Sequence, residues 1–309
     1  MKNRTLIIIL GVLLIIYLAS RLLSSDRERS FNPDIVELDT ANVTRIVITP
    51  KDTSDIPFTL QRNGDQWTIT SGAGSYRATQ ASVGSLLGNL ASIKAERVVT
   101  KNPDKWSDYD VSENSGTRVQ VYRGDQLNTD IFIGRFNFNQ MNRSGNSYVR
   151  LASDSDVYSV DGFLSMSISQ DPANYRDQNV TQLNKENLTR IKFQSPDLDA
   201  YYQRDSIGWT DESGSKIDSS AMESYLNPLQ SVNGITFADD FNMEEGSLIS
   251  QLVIEGNNME VPVIVDCFAS QDTLHDFVIR SSSNQEGYFS SDSSGIYSRL
   301  FGKFLEIRN

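Results

Sequence analysis

"NVTRI" at residues 42–46 and "NLTRI" at 187–191 decide how this chain is read. A repeated pentapeptide is weak by itself, so the neighbourhoods carry the argument. The first copy runs on through "VITP" to "FTLQRNGDQWTI", the second through "KFQSP" to "AYYQRDSIGWTD". Gln61-Arg62 stands before Trp67-Thr68 at the same spacing as Gln203-Arg204 before Trp209-Thr210. Next come "VGSLLGNLASI" at 83–93 and "MESYLNPLQSV" at 222–232. Leu87, Leu90 and Ile93 fall opposite Leu226, Leu229 and Val232, each set at the i, i+3, i+6 spacing of one helix face. Strands then follow in both copies. "TRVQVYRGDQLNTDIFIG" parallels "SQLVIEGNNMEVPVIVD", and "SYVRLASDSDVYSV" parallels "DFVIRSSSNQEGYFS". The ordered series predicts a duplicated module. Its period is far too long for a solenoid, so each copy is expected to be a small domain.

The expected fold class is α+β: an N-terminal transmembrane helix, then two tandem modules, each an antiparallel sheet packed on a helix. The expected boundaries are an anchor at 1–23, a linker at 24–33, a first module at 34–183 and a second at 184–309. Each module opens on a strand, Arg45–Thr49 and Arg190–Gln194. Successive strand side chains face opposite ways, so Ile46, Ile48, Ile191 and Phe193 are predicted core, and Arg45, Arg190 and Lys192 are predicted to face solvent. Trp67 and Trp209, at matching places, are read as core rather than as stacking platforms. "RNGD" predicts a hairpin through an Asn-Gly turn, because both central residues of that turn need positive φ.

A length of 309 residues suits about two domains, and 38% hydrophobic content is enough for packed cores. The net charge of −12 argues against nucleic acid, whose phosphates demand a basic surface. One cysteine, Cys267, leaves no intramolecular disulfide, and with one histidine, His275, a structural zinc site lacks its usual ligands. No cofactor or metal is expected.

"MKNRTLIIILGVLLIIYLASRLLSS" begins with Lys2 and Arg4 before an aliphatic run. Thr5 to Leu23 would span about 28 Å as a helix, close to the roughly 30 Å of a bilayer core, if Arg21 snorkels to the headgroups. Leu6, Ile9, Leu13 and Ile16 represent this anchor. The rival reading is a cleaved signal peptide, but Tyr17-Leu18-Ala19 is a poor small-x-small site. An uncleaved anchor is favoured. Basic residues flank both ends, so charge alone nearly ties on orientation. A short N-terminal anchor behaves like a signal sequence, which places the bulk of the chain outside the cytoplasm, at the inner (cytoplasmic) membrane.

Candidate chemistry is sparse. Trp106, in "NPDKWSDYDV", has no counterpart in the second copy. It and Tyr109 are the candidates for ligand or partner contact, against the plainer reading that Trp106 pins a long loop. Arg123-Gly124-Asp125 spells an adhesion tripeptide but sits where a hairpin needs Gly and Asp. "SDSD" at 153–156 and "DD" at 239–240 lack the ladder of a calcium loop. Cys267 lies in an apolar strand, and neither a nucleophile elbow nor a phosphate-binding glycine loop occurs. A carboxylate pair of the glycosidase kind stays open, since spacing across a fold is invisible in sequence.

The anchor, "NVTRIVI", "QWTI", "VGSLLGNLASIKAERVV", "NPDKWSDYDV", "FIG", "SYVRL", "VYSVDGFL" and "YRDQNVTQLNKENLTRIKF" follow one another in an order that resembles the bacterial family labelled domain of unknown function 4340. The family usually shows Tyr-Gly-Leu where this chain has Tyr109-Asp110-Val111, which puts the tight turn there in question. The resemblance implies a membrane-tethered envelope protein, with members often encoded beside an ABC-2-type transporter and a gliding-motility-type auxiliary protein. It carries no catalytic residues. The expected function is a non-enzymatic, membrane-anchored extracytoplasmic accessory or scaffold protein that contacts an ABC-type transporter or another envelope complex. The alternatives are an envelope glycan- or lipid-binding module and, third, a carboxylate-based hydrolase.

Overall fold

A computed structural model describes residues 32–308 apart from 53–55, 142, 245 and 271–274. The predicted anchor, with Leu6, Ile9, Leu13 and Ile16, and nearly all of the linker lie outside the described residues. Among the described residues no helix is long and apolar enough to cross a membrane.

The chain is mostly antiparallel β-sheet with few helices, an α+β arrangement. In chain order, the first stretch comprises β1 (Arg45–Thr49), β2 (Phe58–Asn63), β3 (Gln66–Ser71), β4 (Gly74–Ala78), α1 (Gln80–Ala91) and β5 (Ala95–Thr100). A 3-10 turn (Pro103–Tyr109) precedes β6 (Thr117–Arg123), β7 (Gln126–Asn139), β8 (Ser144–Leu151), β9 (Val157–Asp161) and the one-turn helix α2 (Leu164–Ser167). Then come β10 (Asn179–Gln182), β11 (Leu188–Ser195), β12 (Leu198–Arg204), β13 (Trp209–Asp211), α3 (Ser219–Leu229) and β14 (Ser231–Asn233). The chain closes with β15 (Leu248–Gly256), β16 (Val263–Ala269), β17 (Phe277–Ser281), β18 (Asn284–Ser291) and α4 (Lys303–Arg308).

Two compact units divide the chain. The first takes the residues up to Arg62 and Val83–Gln170; the second takes Asn63–Ser82 and Asp171–Asn309. The division thus differs from a cut between 183 and 184. Strand β10 pairs with β14, and Ala78 bridges to Arg176, so residues 171–182 and the β3–β4 hairpin both belong with the second unit. These pairings join residues distant in sequence and leave no local signature.

In the first unit the strands run β2-β1-β6-β7-β8-β9-β5. Ile46 and Ile48 of β1 are fully buried and alternate with half-buried Arg45 and Val47. Burying each isoleucine contributes roughly 1.5–3 kcal/mol. Helix α1 starts where Thr79 Oγ1 accepts from the Ser82 N–H, satisfying a donor that the helix itself leaves free. It buries Val83, Leu86, Leu87 and Leu90 and stops at Ala91, so Ile93 is buried just past its end.

In the second unit the main sheet runs β13-β12-β11-β15-β16-β17-β18. Ile191 and Phe193 of β11 are buried, while Arg190 and Lys192 are half-buried. In β1, Arg45 stands opposite Gln61 and Tyr122; in β11, Arg190 stands opposite Gln203 and Glu255. Neither arginine faces open solvent as the alternation predicts. Arg45 lies over the Tyr122 ring at 4.0 Å and Arg190 over Tyr201 at 4.3 Å, because the guanidinium gains from the ring face while its stem covers the sheet. Asp218 caps α3 by accepting from the Ser220 and Ala221 N–H groups. Pro228, which lacks the N–H a continuing helix needs, sits in its last turn. Val232 therefore belongs to β14, not to the helix. The C-terminal helix carries a π-turn at Ser298–Gly302. The buried Tyr225 and Tyr202 hydroxyls donate to the Leu300 and Phe304 carbonyls, each at 3.1 Å. Burial, with Tyr202 close by, raises the Tyr225 pKa.

The turn between β2 and β3 differs from the expected Asn-Gly type. Asn63 is still strand, and only Gly64 takes positive φ, at 62°. A two-residue loop with glycine first is the other favoured hairpin solution, and "NGD" permits either.

Candidate functional site

The stretches "NPDKWSDYDV", "FIG", "SYVRL" and "VYSVDGFL" all lie in the first unit. Asn102 accepts from the Asp104 N–H and Pro103 opens the 3-10 turn that carries Trp106 and Tyr109. The turn closes on Asp110 at φ 56°, ψ 39°, with the Val111 N–H donating to the Trp106 carbonyl at 3.0 Å. The tight turn that the resemblance put in question therefore forms, with Asp110 in the left-handed region. Aspartate tolerates this region better than most residues, though not without strain.

Arg150, from "SYVRL" on β8, holds the turn from below and is 2% exposed. Its Nε–H donates to the Val111 carbonyl at 3.0 Å, and its Nη1 donates to the carbonyls of Leu151 at 3.2 Å and Asp154 at 3.4 Å. The guanidinium carbon lies 3.8 Å from the Trp106 ring centroid and 4.4 Å from that of Phe132. Burial lowers the Arg150 pKa, with partial compensation from surrounding carboxylates. The carbonyl oxygens and ring faces stand in for water around the charge. Half-buried Trp106 donates its indole N–H to the Ser155 carbonyl at 3.0 Å. Tyr109 meets Tyr148 edge-on at 4.8 Å.

Gly134 of "FIG" lets the turn lie on β7. A Cβ there would collide with the Tyr109 carbonyl and stand 2.7 Å from Val111 Cγ1. Beside it opens a cavity of about 220 Å³ whose lining includes Lys51, Asp110, Ser115, Thr117, Arg135 and Phe136. Ser165 Oγ donates to the Gly134 carbonyl at the same place.

A second cluster lies in the second unit. The Arg176 guanidinium sits between the Tyr76 ring at 3.4 Å and the Phe237 ring at 3.5 Å. It makes a two-pronged pair with Asp239 at 2.7 and 2.8 Å. Burial, then the Asp239 charge, raises the Tyr76 pKa. A cavity of about 370 Å³ adjoins this cluster, with Ile69, Pro172 and the exposed Ile235 among its walls.

The other singled-out residues lie elsewhere. Ile46, Ile191, Trp67 and Trp209 are buried, at 0%, 0%, 4% and 8% exposure. Trp67 lies within the second unit, as Trp209 does. Arg123-Gly124-Asp125 is the β6–β7 turn, with Gly124 at φ 59°. Asp154 of "SDSD" accepts from the Tyr158 hydroxyl at 2.7 Å. Cys267 is buried, and burial pushes its thiol up to about 12, against a smaller opposing effect of Ser250. A thiol in that state is not a nucleophile at neutral pH. Among the described residues no group of three or more His, Cys, Asp and Glu side chains could hold a metal ion.

Sequence reasoning missed Arg150 and Arg176. The available signal was a lone arginine inside an otherwise strand-forming run, and a second one following the short helical stretch "PANY". The clamp's polar groups point inward, onto main-chain carbonyls. What the arrangement does chemically is fix the shape of an exposed turn.

No curated protein and no solved structure matches the chain. The family model described as domain of unknown function (DUF4340) matches residues 67–247, more than half of the chain, and the chain belongs to that family.

Proposed function

We propose that this protein is a non-enzymatic accessory subunit of the cell envelope, tethered by its N-terminal segment to the inner membrane with its bulk outside the cytoplasm. Its exposed 103–109 turn docks on a membrane partner, of which an ABC-type transporter is the leading candidate. The observation that supports this reading is the clamp: Asp104, Lys105, Ser107 and Asp108 are exposed on a turn held rigid by Arg150, Trp106 and Gly134. Loops positioned on a rigid scaffold are where binding residues concentrate, and a preordered loop loses little entropy on docking.

The same reading takes the chain as a duplication of one sheet module. The order β2-β1-β6-β7-β8-β9 corresponds strand for strand with β12-β11-β15-β16-β17-β18. Ile46 opposite Leu60 and Val121 corresponds to Ile191 opposite Tyr202 and Ile254. The clamped turn has no such counterpart, so it is the part that one copy added.

Mild-detergent purification of the full chain followed by mass spectrometry tests the proposal. Membrane proteins should co-purify with the wild-type chain and be lost from an Asp104→Lys, Asp108→Lys variant that keeps the wild-type melting curve. An identical set from both, or none from either, contradicts it.

A further inference from the structure

We propose that the β7–β8 hairpin tip of the first unit rests on an anionic lipid surface. Its apolar face would meet the acyl boundary, and the cavity at its base would accept phosphate-bearing headgroups. The chain carries 40 Asp and Glu and a net charge of −12, yet residues 131–153 contain neither acid. Phe136 and Phe138 lie on one face of β7, two residues apart. Phe136 stacks on Phe163 at 4.9 Å, and Gly145, paired with Phe138, leaves room for the Phe136 ring. Phe138, Phe163 and Met166 are 50%, 55% and 68% exposed, and Met141 at the turn is 95% exposed. Large apolar side chains gathered at one exposed tip mark an interaction surface.

Charge decides the occupant. Lys51 and Arg135 line the cavity together with Phe136 and Met166, and Arg143 stands exposed in the β7–β8 turn. Among the described residues no carboxylate pairs with any of the three. Asp110 shares the cavity and Asp161 pairs with Asn146 across the sheet, while Arg135 and Arg143 stand within the acid-free stretch 131–153. Aromatic and methionine side chains rimmed by arginine and lysine match the interfacial zone of a bilayer, where rings sit at headgroup depth and cations meet lipid phosphates. The rest of the acidic surface is repelled from such a leaflet, which orients the tip toward it. This inference concerns different residues from the docking turn and stands without it.

The test uses the full chain with Met141→Cys labelled by an environment-sensitive fluorophore. Buried Cys267 stays unlabelled. The chain is reconstituted into vesicles of phosphatidylglycerol and phosphatidylethanolamine, or of phosphatidylcholine alone, each with a lipid quencher on the acyl chain. Quenching at position 141 should be several-fold stronger in the anionic vesicles. It should fall at high salt and in an Arg135→Glu, Arg143→Glu variant. A label at Asp125→Cys, at the other end of β7, should stay unquenched. Equal quenching in both vesicle types, equal quenching at both label positions, or protection at position 141 only when a membrane protein is added would overturn the proposal; the last result would assign the face to a protein groove.

Discussion

Arg150 and Trp106 stack at 3.8 Å, a buried cation beneath a half-buried indole, and that contact fastens the 103–109 turn to β8. Replacing Arg150 leaves the Val111 carbonyl without its donor and the indole without its support. Arg150→Met should destabilise the first unit by about 2–4 kcal/mol, from a lost charged hydrogen bond and the stranded carbonyls. Arg150→Lys should recover little, because an ammonium cannot reach three carbonyls while stacking on two rings. Denaturant unfolding followed by tryptophan emission measures both.

Gly134 and Asp110 should respond in opposite directions. Gly134→Ala forces the turn off β7, since its new methyl meets main chain rather than a flexible side chain. A loss of about 1–3 kcal/mol is expected, the usual range for overpacking. Asp110→Gly removes left-handed strain at φ 56° and should be neutral or stabilising by up to about 1 kcal/mol. A clear loss with Asp110→Gly would mean that the carboxylate makes a contact worth more than the strain.

Trp67→Ala and Trp209→Ala should each cost about 3–5 kcal/mol, the range for a buried aromatic. Both should lower the melting transition of the second unit. A Trp67→Ala chain whose second unit melts normally would contradict its placement there.

Cys267 makes alkaline pH a test of the second core. Its pKa is raised in the folded state by burial, so the neutral thiol is stabilising at and below the ordinary value of 9.0. That stability is lost as pH rises from there through about 12. A thiol reagent at pH 8 should leave the folded chain unlabelled and modify the unfolded chain fully. Cys267→Ala should lessen the loss of stability over that alkaline window.

Much of the architecture was legible because it is local. The alternation in "RIVIT" and "RIKFQ" marks the buried face of β1 and β11, and the leucine spacing marks α1 and α3. The two-unit division was not legible as drawn, because β10–β14 pairing and the Ala78–Arg176 bridge join distant residues. Asp110 in a left-handed turn could not be read from a sequence that lacks the expected glycine. Trp106 was singled out as a candidate, but its partner was not. A buried arginine whose hydrogen bonds end on main-chain carbonyls has no pattern in the chain, since any residue can supply them.

The docking claim is tested most directly by a photo-crosslinker at Lys105, an exposed position on the clamped turn. Irradiated in native membranes, the full chain should give one discrete adduct, identified by mass spectrometry as an integral membrane protein. The adduct should disappear when Gly134→Ala displaces the turn. No adduct, or adducts to lipid alone, would contradict the account.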